Sequence, residues 1–257
     1  MFIMRFSLTI LVLLMALSFT MAHAADIAIV DFADQWTKVD ALRQTLDEFG
    51  IKYDDLTKGL EKGSLPLSNQ KLFFIGSMTT NNATLHQNLD KNAKVIQDFV
   101  KRGGVVIEPT QADQNEANVD WLPDGLLCVR SDPDSADFQI QKPDHPLFNA
   151  PNKMGEKEFK GWGHQGWPTV WEVIATQKGF DVLAESLNKP VIMEADFGSG
   201  KFVMMSLAPD KYHIAGNDGD TQDMAGRFMK NILETYLPKA VQPAGKLAAI
   251  WGNLKSQ

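Results

Sequence analysis

Cysteine is almost absent from this chain: Cys128 stands alone among 257 residues. No intramolecular disulfide can form, so packing has to hold the fold together. Cys128 lies in Leu126-Leu127-Cys128-Val129, an apolar run of the kind that makes a buried strand, where a thiol behaves as a small hydrophobe. Reactive thiols need cationic or helix-terminal surroundings, which this run does not offer. Long apolar runs are equally scarce. Beyond residue 24 no stretch approaches the roughly 20 apolar residues that a membrane-spanning helix requires. An excess of positive charge is missing too: 25 Lys and Arg against 32 Asp and Glu give a formal charge of −7. Nucleic acid and anionic membrane surfaces are therefore poor partners, because phosphate binding is driven by cationic side chains. There is no internal repeat, no low-complexity segment and no spacing of His, Cys, Asp and Glu that marks a metal site, and no cofactor is expected.

What is present begins with a leader. Arg5 precedes an apolar run from Leu8 to Phe19, and Ala22-His23-Ala24 has the small-x-small pattern that a signal peptidase cuts after. Residues 1–24 read as a signal peptide, which predicts a secreted or periplasmic protein. Losing Arg5 makes the mature chain one charge more negative. The remainder, about 230 residues, suffices for one large α/β domain or two small ones. We read residues 25–237 as the α/β domain. Residues 238–257 read as a linker and a short amphipathic tail carrying Leu247, Ile250, Trp251 and Leu254, which docks on its own domain or on a protein partner.

Strand and helix signals alternate from Ala25 onward. Ile27-Ala28-Ile29-Val30 is a continuous apolar run, as in a strand covered on both faces. Residues 35–49 carry Val39, Leu42, Leu46 and Phe49 at helical spacing and stop at Gly50. Ile51 to Leu56 reads as a strand, 57–69 as loop and Leu72 to Gly76 as a third strand. A helix is predicted over about 89–102, closed by Gly103-Gly104, and Val105-Val106-Ile107 follows as a fourth strand. Residues 113–179 look like an elaborated insertion, with Phe138 to Gln141 as an antiparallel or edge strand. Two strands around Gly198-Ser199-Gly200 then predict a β-hairpin, and a helix over about 221–236 completes the domain, with Asp220 or Thr221 as its N-cap. The fold class expected is a flavodoxin-like three-layer α/β sandwich with a mostly parallel sheet. Functional groups gather at the carboxyl ends of such strands: here Asp31, Gly76-Ser77 and Glu108-Pro109-Thr110.

The order and spacing of several segments resemble the class I glutamine amidotransferase-like superfamily, in particular its ThuA-like and other divergent members. The segments are Lys101-Arg102-Gly103-Gly104-Val105-Val106-Ile107, Asp144-His145-Pro146-Leu147, and the hairpin from Gly198 to Leu207 followed by Ala208-Pro209-Asp210. The resemblance implies a nucleophilic cysteine in the turn after the strand that matches Val105 to Glu108, and a His-Pro-Glu after a late strand. This chain has Pro109-Thr110-Gln111-Ala112 at the first place and Ala208-Pro209-Asp210 at the second. Thiol and imidazole are both missing there, so glutaminase chemistry is not expected. Thr110 could replace the thiol only with a base in reach, and the sequence designates none besides Glu108.

Other candidates are local. Gly161-Trp162-Gly163-His164-Gln165-Gly166-Trp167-Pro168, with Trp171 beyond, suits a glycine-rich loop in which Trp162 stacks on a sugar ring and His164 hydrogen-bonds its hydroxyls; equally, the indoles plug the end of the sheet. His145, fixed by Pro146, either caps nearby backbone or joins a site. The ligand-binding set is therefore Asp31, Ser77, Glu108, Thr110, His145, Trp162, His164 and Asp210, with Glu108, Thr110 and His164 as the catalytic candidates. The expected function is non-catalytic binding of a small polar molecule or glycan, or service as an envelope interaction module. The alternative is a hydrolase or isomerase on carbohydrate-derived material, using Glu108 with His164 or His145.

Overall fold

The computed structural model describes residues 25–33, 38–109, 118–131, 135–163, 170 and 172–237. The expectations placed on the leader, Thr110, His164, Trp167, Trp171 and the C-terminal tail lie outside these residues.

The first strands form where the apolar runs predict them. β1 (Ile27–Val30) and β3 (Leu72–Ile75) are buried at every position. With β2 (Asp54–Asp55), β4 (Val105–Pro109) and β10 (Gly200–Met205) they make a parallel array in the order β2-β1-β3-β4-β10. The sheet continues antiparallel through β9 (Lys189–Phe197), β8 (Asp181–Ser186) and the edge strand β6 (Gln139–Ile140). A separate two-stranded sheet pairs β5 (Leu127–Ser131) with β7 (Val173–Lys178). The architecture is the expected flavodoxin-like α/β sandwich.

Side chains alternate across the sheet, and each face has its own core. Ile27, Ile29, Leu72, Phe74, Val203 and Met205 pack on one side with α1 (Ala41–Glu48) and α7 (Gly219–Tyr236). Ala28, Val30, Phe73, Ile75, Phe202 and Met204 pack on the other with α2 (Thr57–Glu61), α3 (Ala83–Lys91), α4 (Ala93–Lys101) and the β5–β7 pair. Two short helices complete the described elements, α5 (Glu156–Phe159) and α6 (Pro209–Ala215).

Several local expectations are corrected. The strand expected over 51–56 is reduced to Asp54–Asp55, and the supposed loop after it holds α2. The helix expected over 89–102 is two helices that meet at Asn92, and α3 starts earlier because Asn82 caps it through bonds from the Thr84 and Leu85 amides. The N-cap of α7 is Asp218, which accepts from Thr221 N at 2.7 Å. The β9–β10 hairpin is as expected, and its glycines have a steric cause: Gly198 has φ +65°, and a Cβ on Gly200 would run into the carbonyl oxygens of Gly104 and Val100.

Candidate functional site

The carboxyl ends of β1, β3 and β10 deliver Asp31, Ser77 and Asp210 to one place. Ser77 donates twice to Asp210, from its amide to Oδ2 at 3.1 Å and from its hydroxyl to Oδ1. The bond spans 133 positions of sequence and ties the end of β3 to the first turn of α6, which follows β10. In the sheet order β3-β4-β10 this clasp joins the two neighbours of β4.

Asp31 faces the same cluster but is occupied differently. Its Oδ1 accepts from Phe32 N and its Oδ2 from Arg43 N, both at 2.9 Å. The second bond supplies an acceptor for the start of α1, where Asp40, the residue at the cap position, makes no side-chain cap bond. Arg43 donates to the Asp31 carbonyl (3.2 Å) and to Thr57 Oγ1 (2.8 Å), and pairs with Asp55 and Asp40. Gly76 lies beside it for want of room: a Cβ there would collide with Asp31 Oδ1.

These acids are almost out of water, with Asp31, Ser77, Glu108 and Asp210 each at most 2% exposed. Burial raises the Asp31 carboxyl to about 7, helped by the nearby Asp210 charge and opposed by Arg43. Burial also raises Asp210, against the Ser77 hydrogen bonds. Glu108, at the end of β4, is separate. Burial raises it to about 7, with Arg130 opposing and Asp90 adding to the rise. Arg130 Nη1 stands 3.6 Å from Glu108 Oε1, and neither carboxylate oxygen has a hydrogen-bond donor among the described residues.

The remaining candidates lie elsewhere. Trp162 is in the core at 3% exposure, its indole N–H donating to the Glu158 carbonyl at 2.7 Å and its ring packed among Phe159, Tyr212 and Phe228. Among the described residues it is packed in the core, the position the plug expectation describes. His145 caps a short 3-10 turn (Pro146–Phe148) by accepting from Leu147 N, and its Nε2 is 3.6 Å from Glu194 Oε2, away from Glu108. Glu194 also accepts from Lys201 (2.6 Å) and Tyr236 (2.7 Å). Burial works against its charge, but these bonds from His145, Lys201 and Tyr236 prevail and hold it at about 2. His213 bridges Glu48 and the Gln222 carbonyl. His145 and His213 thus do not converge on Glu108, and among the described residues no group of three or more His, Cys, Asp and Glu is placed to hold a metal ion. Cys128 is fully buried, as its run predicts, and burial pushes its thiol up to about 12.

Sequence reasoning passed over Arg43, Thr57, Arg130 and the fully buried Lys211. A signal for Arg130 existed: it lies two residues from Cys128 on the same strand, and both are buried between exposed Leu127 and Ser131.

No protein-family model matches the sequence, and no curated protein does. Among solved structures, a putative GMP synthase subunit from Thermoplasma acidophilum is 13% identical with a TM-score of 0.50, over 91% of this chain and 99% of that one. A β-galactosidase from Bacillus circulans sp. alkalophilus is 13% identical with a TM-score of 0.47, over 82% of this chain and 31% of its own. An exo-β-1,4-mannosidase from Opitutaceae bacterium strain TAV5 is 11% identical with a TM-score of 0.47, over 84% and 37%. The chain spans about a third of the length of these two glycosidases. At such identities the likeness is one of fold, and the chain shares its α/β architecture with the Thermoplasma protein over nearly the full length of both.

Proposed function

We propose that this protein is an exported, non-catalytic domain of amidotransferase-like, ThuA-like architecture that binds a small polar ligand or carbohydrate at the carboxyl end of its parallel sheet. The observation that carries the reading is the Ser77–Asp210 clasp. A hydroxyl and a carboxylate that could serve a reaction are spent on each other, inside the fold. The sole thiol supports the same reading, since a group pushed to about 12 supplies almost no thiolate at neutral pH. Glu108 favours a polyol as the ligand. Its two carboxylate oxygens lack donors among the described residues, and a pair of hydroxyls would satisfy both. The test is calorimetric titration of neutral mono- and disaccharides into the protein and into Glu108→Gln, alongside an assay for ammonia release from glutamine. Saturable sugar binding that is lost in Glu108→Gln, with no ammonia released, supports the proposal. Glutamine hydrolysis above a blank overturns it.

One observation favours a hydrolase instead: a carboxyl at about 7 suits a general acid or base at neutral pH. That reading requires turnover of a glycoside with a pH dependence centred near 7 that disappears in Glu108→Gln.

A further inference from the structure

We infer a second binding site, for a small oxyanion, in the cleft at the opposite end of the sheet. The cleft has a volume of about 440 Å3 and lies where the chain enters β3 and β4, lined among others by Ser68, Asn69, Lys71, Arg102, Gly103 and Gly104. Its size falls within the range of small-molecule sites, roughly 300–1,000 Å3. The two charged residues that line it, Lys71 and Arg102, are both cations.

Three features bear on what this cleft could hold. The first is charge balance. Lys71 and Arg102 are exposed cations brought together from two different elements, and neither forms an ion pair with a described residue. Asp98 lies near enough to feel Arg102, but it is engaged by Lys94. Arg102 spends one N–H on the Leu67 carbonyl, at 3.4 Å, and its remaining donors are available to a ligand.

The second feature is a fixed wall. Gln70 is 7% exposed; its carbonyl accepts from Ser68 N at 2.8 Å and its amide donates to Asp54 at 2.8 Å, which fixes the 68–70 turn. The Lys71 backbone is held from both sides, its amide bonded to the Asp26 carbonyl and its own carbonyl accepting from Val105 N. The backbone of this wall is therefore already ordered, and a ligand need not order it. The third is that the helix end does not oppose an anion. The last carbonyls of α4 would repel one if bare, yet Gly104 N bonds to the Phe99 carbonyl and Gly103 N to that of Val100, with Gly103 at φ +100°. The dipole of α4 accounts for a cation at Arg102; it does not account for Lys71, which comes from another element.

The ligand class is a phosphate or carboxylate group carried on a small polar molecule. Inorganic phosphate and succinate are the probes, titrated separately into 15N-labelled full-length protein at constant ionic strength, with sodium chloride as the reference. Saturable shifts of the Ser68 to Lys71 and Gly103–Gly104 amides are expected, with the double variant Lys71→Gln, Arg102→Gln at least tenfold weaker and Lys62→Gln unchanged. Tighter binding of phosphate or of succinate identifies which oxyanion the site takes. Shifts that sodium chloride reproduces, or a double variant that binds like the parent, overturn the inference. Because the site is remote from Glu108 in the fold, Glu108→Gln leaves it unchanged, and failure here is distinguishable from failure of the strand-end reading.

Discussion

Carboxylates in two regions of this molecule are treated in opposite ways. Glu194 is surrounded by donors, from Lys201, Tyr236 and His145, and is held ionised down to about 2. Asp31 and Glu108, at the carboxyl ends of β1 and β4, rise to about 7. Burial acts on all three, most fully on Asp31 and Glu108, and the supply of donors and cations differs as well. Glu194 sits on the antiparallel half of the sheet, where two neighbouring elements reach it: Lys201 from the adjacent β10 and Tyr236 from the end of α7. Asp31 accepts two backbone N–H bonds but lies beside the Asp210 carboxyl, and Glu108 has only the Arg130 guanidinium at 3.6 Å. A carboxylate that stabilises the fold and one that burdens it differ in partners and in depth: Glu194 is half-buried and well supplied with donors, whereas Asp31 and Glu108 are fully buried.

The comparison predicts a stability profile with two limbs. Unfolded Asp31 releases its proton near 3.8, whereas folded Asp31 keeps it to about 7. Between those values the folded state holds more protons, so stability falls as pH rises, by as much as about 4 kcal/mol from this group at roughly 1.4 kcal/mol per pH unit. Glu108 adds a change of the same sign. Glu194 has the other sign: its stabilisation is complete above about 4.5 and is lost as pH falls toward 2. Urea unfolding between pH 3 and 8 is expected to show a maximum near pH 4 to 5, and a flat profile would break the comparison.

Substitutions sharpen it. Glu194→Gln is expected to cost about 3 kcal/mol at pH 7, because three partners lose the carboxylate that pairs them; a loss under 1 kcal/mol would place Glu194 among ordinary surface acids. Gly76→Ala drives a methyl into Asp31 Oδ1 and is expected to cost about 2 kcal/mol, read from the urea midpoint. Ser77→Ala removes the hydroxyl donor to Asp210 and is expected to cost about 1–2 kcal/mol, read from the urea midpoint. The smallest effect is expected of Glu108→Gln, within about 1 kcal/mol at pH 5, with a shallower decline toward pH 8.

The parallel core was legible because its strands are continuous apolar runs, and Ile27–Val30 and Leu72–Ile75 appear where they were expected. The break at Asn92 was hidden because the apolar spacing runs on through both helices, and α2 because its five residues carry too few apolar positions for a period. Asp31, Ser77 and Asp210 could be named from their places at strand ends. That Ser77 would close on Asp210, 133 positions away, is a product of the sheet order. Trp162 was left open for a physical reason: glycine-flanked tryptophan is equally suited to a sugar platform and to a plug, and the aromatic residues that surround it come from α5, α6 and α7.

The central claim is that the strand-end acids are held protonated while Glu194 is held charged, and carboxyl-carbon NMR across a pH titration reads each group directly. The account predicts midpoints near 7 for Asp31 and Glu108 and near 2 for Glu194. Midpoints near 4 for all three would contradict it.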